Sequence, residues 1–325
     1  MTLTQTPAPE VDDRMKPSDI PEAAAHATPV RGTPRDVIGH RQPSRRQVIL
    51  GAIVAVVVFV IAVGAVIYGV GSLVHARDQR ALMATERTAI GNAAILAKAL
   101  HTVTLPTKPP LLGAPVGVLA IPALSVNEAV VEGVGSSQTV SGPGHVPGTA
   151  GLGQPGNAEI VGRNAAYGGV FGRLAQLKPG DRILTASVEG QSVYVVRRVA
   201  TVGAGSLEPV YGTTRNNRLT LVTSASDVPW NSDRAVVVTA LLRGKPYAAT
   251  PQESVDPNQL GNSGESGAWA ELLLSVLALA VVAVGALFLY RRCTLRSAYL
   301  LSTAPLVAFT VVAAESISRM FPAWM

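Results

Sequence analysis

The chain has 325 residues, 48% of them hydrophobic and only 15% charged, with a mean hydropathy of +0.31. That balance excludes an ordinary soluble domain and makes membrane-spanning segments the first expectation. The formal net charge of +6 does not point to nucleic acid: much of the basic charge sits beside apolar runs, where it meets anionic lipid, and no zinc spacing, recognition helix or RNA-binding aromatic motif accompanies it.

Residues 1–47 are rich in Pro, Ala, Thr and charge, without periodicity, and are expected to form a disordered cytoplasmic tail. Residues 48–74, "VILGAIVAVVVFVIAVGAVIYGVGSLV", carry no charge. As a helix the run would be roughly 40 Å long, enough to cross a bilayer with some tilt. It is too long, and starts too deep in the chain, to be a cleaved signal peptide. Residues 75–115 form an expected stalk: good helix formers up to about Thr104, then the stiff linker "LPTKPPLLGAP".

From residue 116 to 245 the texture changes to short β-rich runs broken by Gly and Pro: "VGVLAIPAL", "EAVVEGV", "AEIVGR", "DRILTASV", "QSVYVVRRVATV", "RLTLVTS" and "RAVVVTALL". Closely spaced short strands predict a sandwich or barrel. The Gly-rich stretch from Gly133 to Gly156 lacks the Gly-Lys-Ser/Thr ending of a phosphate loop and is read as surface turns. No carboxylate pair or metal-ligand cluster stands out, so neither a cofactor nor a metal is expected.

Residues 246–271 form a flexible return to a second span at 272–290. A third, at 297–314, is shorter, contains Pro305 and stops at Glu315. Five arginines (Arg31, Arg35, Arg41, Arg45, Arg46) precede the first span, and Arg291, Arg292 and Arg296 follow the second. Both asymmetries place the N-terminus in the cytoplasm and the β-rich segment outside. The lone cysteine, Cys293, then lies on the cytoplasmic side, cannot serve the outer domain and leaves no intramolecular disulfide.

The pieces "IPALSVNEAVVEG", "GPGHVPGTAGLGQPGNAEIVG", "YGGVFGRLAQLKPGD", "RLTLVTSA" and "DRAVVVTALL" resemble, in order and spacing, the sortases, most closely those of class E, over Val116 to Arg243. The resemblance implies an all-β extracytoplasmic domain, an eight-stranded barrel flanked by transmembrane α-helices, at the plasma membrane of a Gram-positive cell. Active members are cysteine transpeptidases that cleave a sorting signal and join the protein to the cell wall or pilin.

Carried over residue by residue, the family's Thr-Leu-x-Thr-Cys ending falls on Thr220, Leu221, Val222 and Thr223, with Ser224 in the Cys place. The Gly-Asn-x-x-Ile-x-Gly-His-Arg pattern falls on Gly156, Asn157, Ile160 and Gly162, but Arg163 stands in the His place and Asn164 follows it. The oxyanion-steadying arginine falls on Arg234, and the three places are expected at one mouth of the barrel. A thiolate needs a titratable partner that later protonates the leaving amine. A guanidinium, with a pKa above about 12, cannot act as that base.

The resemblance therefore implies a degenerate sortase that binds a sorting-signal-like peptide, a cell-wall component or a membrane protein partner, with Arg163 and Arg234 as a positive floor. The alternative is an active transpeptidase or hydrolase using Ser224 and an unidentified base. His145 falls where class E members also carry a His, and Tyr167 is the aromatic beside the glycines; both are candidate binding residues, more in keeping with barrel and loop anchors than with catalysis.

Overall fold

The computed structural model describes residues 45–102, 105–207, 210, 214–228, 233–253, 261, 264–265, 267–292 and 295–325. The expected tail up to residue 44, most of the return between 254 and 266, and Cys293 lie outside the described residues. The chain divides into two compact units, Met1–Gly51 and Ala52–Met325. Of the first, the described part is the opening of helix α1 (Arg45–Gly64).

In the second unit the helical run continues from α1 through a π-helical turn, Ala65–Val70, into α2 (Gly71–Leu100), which ends at His101 in the left-handed conformation. Helices α4 (Ala268–Arg292) and α5 (Leu295–Met320) follow the β-rich segment. Three helical stretches, Val56–Leu100, Ala268–Leu289 and Tyr299–Met320, are long and apolar enough to cross a membrane. Pro305 sits inside α5 without ending it, as membrane helices allow when neighbours take up the freed carbonyl.

The expected stalk is not free-standing. Gln79 of α2 binds the barrel in both directions: its amide NH2 donates to the carbonyls of Ala129 and Ser141 at 3.0 and 2.7 Å, and its oxygen accepts from the Ala129 N–H at 2.7 Å. His75, one turn earlier, holds the Val140 carbonyl at 3.0 Å through Nδ1. Helix propensity carries no information about such side-chain docking.

The β-rich segment closes into an eight-stranded barrel: β1 (Pro115–Ile121), β2 (Val126–Glu132), β3 (Gly144–His145), β4 (Asn157–Val161), β5 (Arg182–Ser187), β6 (Gly190–Gly203), β7 (Arg218–Ser224) and β8 (Arg234–Arg243), in the order β1-β2-β3-β4-β7-β8-β6-β5. Pairs β2–β3 and β4–β7 are parallel and the others antiparallel. A short helix, α3 (Ser136–Ser141), links β2 to β3. Strand β3 corrects the sequence reading, which gave seven runs and took the Gly-rich stretch as turns. Its two residues are too short for a periodic signal, yet they bridge β2 and β4 and complete the closure.

Inward side chains form one core, with Leu119, Ile121, Ile160, Leu219, Leu221 and Val238 fully buried around Phe171. A second cluster lies on the outer face of β4, β7 and β8: Val161, Val222, Ala235 and Val237 pack with Leu207, Trp324 and Met325. Because both faces are covered, Leu219 to Ser224 are all buried.

Candidate functional site

Parallel pairing runs from Asn157 opposite Arg218 to Val161 opposite Val222, and the Gly162 N–H extends the ladder to the Val222 carbonyl at 3.0 Å. Arg163 therefore leaves the end of β4 beside the end of β7, where Ser224 is the last residue. Gly162 is required there: a Cβ at this position would stand 2.4 Å from the Phe171 ring. Ser224 pairs with Ala235 on the other side, and the Ala225 N–H donates to the Arg234 carbonyl at 2.9 Å. The backbones of Arg163, Ser224 and Arg234 thus meet at one end of the barrel.

Their side chains have different hydrogen-bond partners. Ser224 is 1% exposed, and its hydroxyl turns back along its own chain, donating to the Ser226 carbonyl at 2.9 Å and accepting the Ser226 N–H at 3.1 Å. The described histidines bonded to the barrel, His75 and His145, both have other partners. Arg234 is exposed at the start of β8. Arg163 is only 2% exposed and has partners of its own: Nη2 donates to the Ser136 carbonyl at 2.9 Å, Nη1 reaches the Ser318 hydroxyl at 3.4 Å, and the guanidinium carbon lies 5.0 Å from the centre of the Tyr167 ring. Burial lowers its pKa to about 10, with Tyr167 and Glu265 partly opposing the shift. It stays charged at neutral pH and has no proton to give or take there.

Tyr167 is held for this contact. It is buried, adopts φ 49°, and stands against α2 at Gly71, where a Cβ would come within 2.9 Å of its ring. His145 is placed elsewhere, within the barrel wall: Nδ1 lies 2.7 Å from the Glu132 carboxylate, and Nε2 lies 2.9 Å from the Ala150 carbonyl and 3.1 Å from the Thr149 hydroxyl. Burial works against its charged form, but the Glu132 hydrogen bond and charge outweigh it and leave the pKa raised. Both ring nitrogens are engaged internally, and His145 lines a separate cavity of about 230 Å³ with Leu152 and Glu189.

Sequence reasoning missed the segment after α5. The Trp324 carbonyl accepts from the N–H groups of Asn164 and Ser224, at 3.0 and 3.3 Å. The Ser136 hydroxyl holds the Phe321 carbonyl at 2.7 Å, and the Ala323 N–H donates to the Gly261 carbonyl at 3.1 Å. Trp324 is fully buried. Asn164, next to Arg163, donates its amide to Asp227 at 2.6 Å. The one cue in the sequence is the pair of aromatics in "FPAWM" beyond the third apolar run.

The residues around Ser224 can hold backbone carbonyls and, at Arg163, an anion; among the described residues the Ser224 hydroxyl is bonded to the Ser226 backbone and not to a histidine or a carboxylate. No group of three or more His, Cys, Asp or Glu side chains that could hold a metal occurs among the described residues.

The family model for the Sortase domain matches residues 119–242. Among solved structures, the chain is similar to a sortase D5 transpeptidase of Clostridium perfringens at 19% identity, covering 52% of this chain and 99% of that one, with a TM-score of 0.44. It is also similar to sortase A of Listeria monocytogenes, at 22% identity over 44% and 92% of the two chains and TM-score 0.37. Sortase E of Streptomyces avermitilis gives 26% identity over 42% and 93%, with TM-score 0.37. No curated protein matches. Residues 119–242, the part of the chain that the Sortase domain model matches, lie within the closed eight-stranded barrel, which has the sortase fold.

Proposed function

We propose that this is a membrane-anchored, non-catalytic sortase whose barrel lies outside the cytoplasmic membrane of a Gram-positive envelope and acts by binding. The observation that carries the reading is the state of Ser224. Its hydroxyl is spent on the Ser226 backbone, and its neighbour in the family's His place is a buried guanidinium engaged with Ser136 and Ser318. A serine needs an adjacent base to become a nucleophile, and a fixed cation is the opposite of one.

The barrel end retains the means to hold a peptide. The N–H groups of Asn164 and Ser224 converge on a single carbonyl, supplied by Trp324 in this conformation. A sorting-signal-like segment or an extended stretch of a partner protein would use the same donors, the main-chain mode of peptide capture that leaves specificity to flanking pockets.

The test uses the full-length protein in detergent and a panel of sorting-signal peptides, with intact mass as the readout. The wild type is expected to form no covalent acyl adduct, whereas the double variant Ser224→Cys, Arg163→His is expected to form one. An acyl adduct on Ser224 of the unaltered protein would overturn the non-catalytic reading.

A further inference from the structure

Beside Arg163 lies a cavity of about 440 Å³, within the ~300–1,000 Å³ range of small-molecule sites. One wall is the first membrane helix itself, Phe59, Val63 and Ile67, and the other is the end of α5 with Ile317 and Phe321. Arg163 is the cation in this apolar setting, and Asp227, which also lines it, receives the Asn164 amide. No carboxylate stands within ion-pair distance of Arg163 among the described residues: Glu265, the acid that influences it, is paired with Arg319 at 2.8 Å. The Nε–H of Arg163 is buried and has no hydrogen-bond partner.

A buried charge without a counter-ion is costly, and the usual remedy is pairing with hydrogen bonds to the remaining donors. Apart from Asp227, which is bonded to Asn164, and Ser318, the rest of the lining is apolar or aromatic and continuous with a charge-free span, which rejects a hydrophilic anion. What satisfies both is a molecule with a negative head and a hydrocarbon tail. We propose that this cavity binds one anionic phospholipid of the surrounding bilayer, with its phosphate on Arg163 and the top of an acyl chain against Phe59, Val63 and Ile317. The site gives the binding protein of the preceding section a lipid ligand. It rests on that reading only in requiring Arg163 to be free of catalytic duty.

The experiment takes the full-length protein in a neutral detergent with phosphatidylglycerol, phosphatidylcholine or water-soluble glycerol phosphate, and counts bound molecules by native mass spectrometry. One phosphatidylglycerol per chain is expected, retained at least about tenfold better than phosphatidylcholine, the factor for one charge-assisted hydrogen bond. Glycerol phosphate should bind far more weakly, since it lacks the tail. Arg163→Gln should abolish the preference, whereas Arg234→Gln, at an exposed side chain, should keep it.

Gly64→Leu provides a second route if Arg163→Gln does not fold. Gly64 lines the cavity, a Cβ there meets nothing within 4 Å, and leucine suits a helix better than glycine. Filling the cavity should expel the lipid while the folded chain persists. Equal retention of the two lipids, undiminished preference in folded Arg163→Gln or Gly64→Leu, or glycerol phosphate binding as tightly as the lipid would each overturn the proposal. An acyl adduct on Ser224 would overturn the functional reading instead, and lipid counting does not depend on it.

Discussion

The Ser224 N–H donates to the Trp324 carbonyl at 3.3 Å. This one bond places a segment from beyond the last helix over the end of β7, with the fully buried Trp324 side chain against Val161, Val222 and Leu207. The segment therefore covers Ser224. In a chain whose one cysteine is removed as Cys293→Ser, Ser224→Cys is expected to react slowly with a maleimide. Adding Trp324→Ala should raise the rate at least about tenfold. It should also cost about 3–5 kcal/mol of stability, the usual loss for a large buried aromatic. Unchanged labelling would mean that Trp324 is not the cover.

Glu159 sets a pH dependence in the barrel wall. Burial pushes its pKa up to about 8, against the opposing influence of Arg218 and of the Asn157 amide, which donates to it at 2.5 Å. The carboxyl is thus protonated in the folded state where the unfolded chain is already ionised. Stability is full below the ordinary value near 4.5, falls as pH rises, and has lost this contribution above about 8. Thermal unfolding between pH 5 and 9 should show that decline in the wild type and a flatter profile in Glu159→Gln. A decline of equal size in the variant would exclude Glu159 as its source.

The strands were legible because their local patterns are strong: Leu219, Leu221 and Thr223 alternate with Thr220, Val222 and Ser224 as a half-buried strand should. The burial of both faces of β7 was not legible. Val222 is covered by Trp324 and Leu207, residues brought in by tertiary packing that no local period encodes. The backbones of Ser224, Arg163 and Arg234, singled out in the sequence by the resemblance, lie at one barrel end. The side-chain directions could not be found, since Arg163 turns toward Ser136 and Ser318 on α3 and α5, elements distant in sequence. His145 was open to two readings by residue type alone, and only its contact with Glu132 separates a wall residue from a ligand contact.

That contact carries its own consequence. Both partners of the His145–Glu132 pair are almost wholly buried, at 2% and 1% exposure. Removing one partner of a buried pair leaves the other unpaired and typically costs about 3–5 kcal/mol. His145→Ala should be destabilised on that scale in denaturant unfolding, and His145→Ala with Glu132→Gln should recover part of the loss. The raised His145 pKa adds stability that is complete below about 6.5 and is lost as pH rises through the folded value. A double variant as unstable as His145→Ala would show that the loss came from packing and not from the stranded carboxylate.

The barrel also constrains topology. Helix α4 begins at Ala268, directly after the return from the barrel, and ends in Arg291 and Arg292, the basic cluster that marks a cytoplasmic end. Helix α5 starts at Leu295, beside that cluster in sequence, yet its far end is back at the barrel: Arg319 pairs with Glu265 at 2.8 Å and Ser136 binds the Phe321 carbonyl at 2.7 Å. At about 1.5 Å per residue, its 26 residues reach roughly 39 Å, more than the ~30 Å hydrocarbon layer. On the proposed topology α5 leaves the cytoplasmic face and ends at the outer barrel, so it must cross. A reporter fused after Gly267 should therefore be active only outside, one after Arg296 only inside, and one after Met325 outside again. If the Arg296 fusion reports from outside, α4 does not cross and the three-span topology fails. If only the Met325 fusion reports from inside, α5 does not cross, and Arg319 cannot reach Glu265 in the membrane.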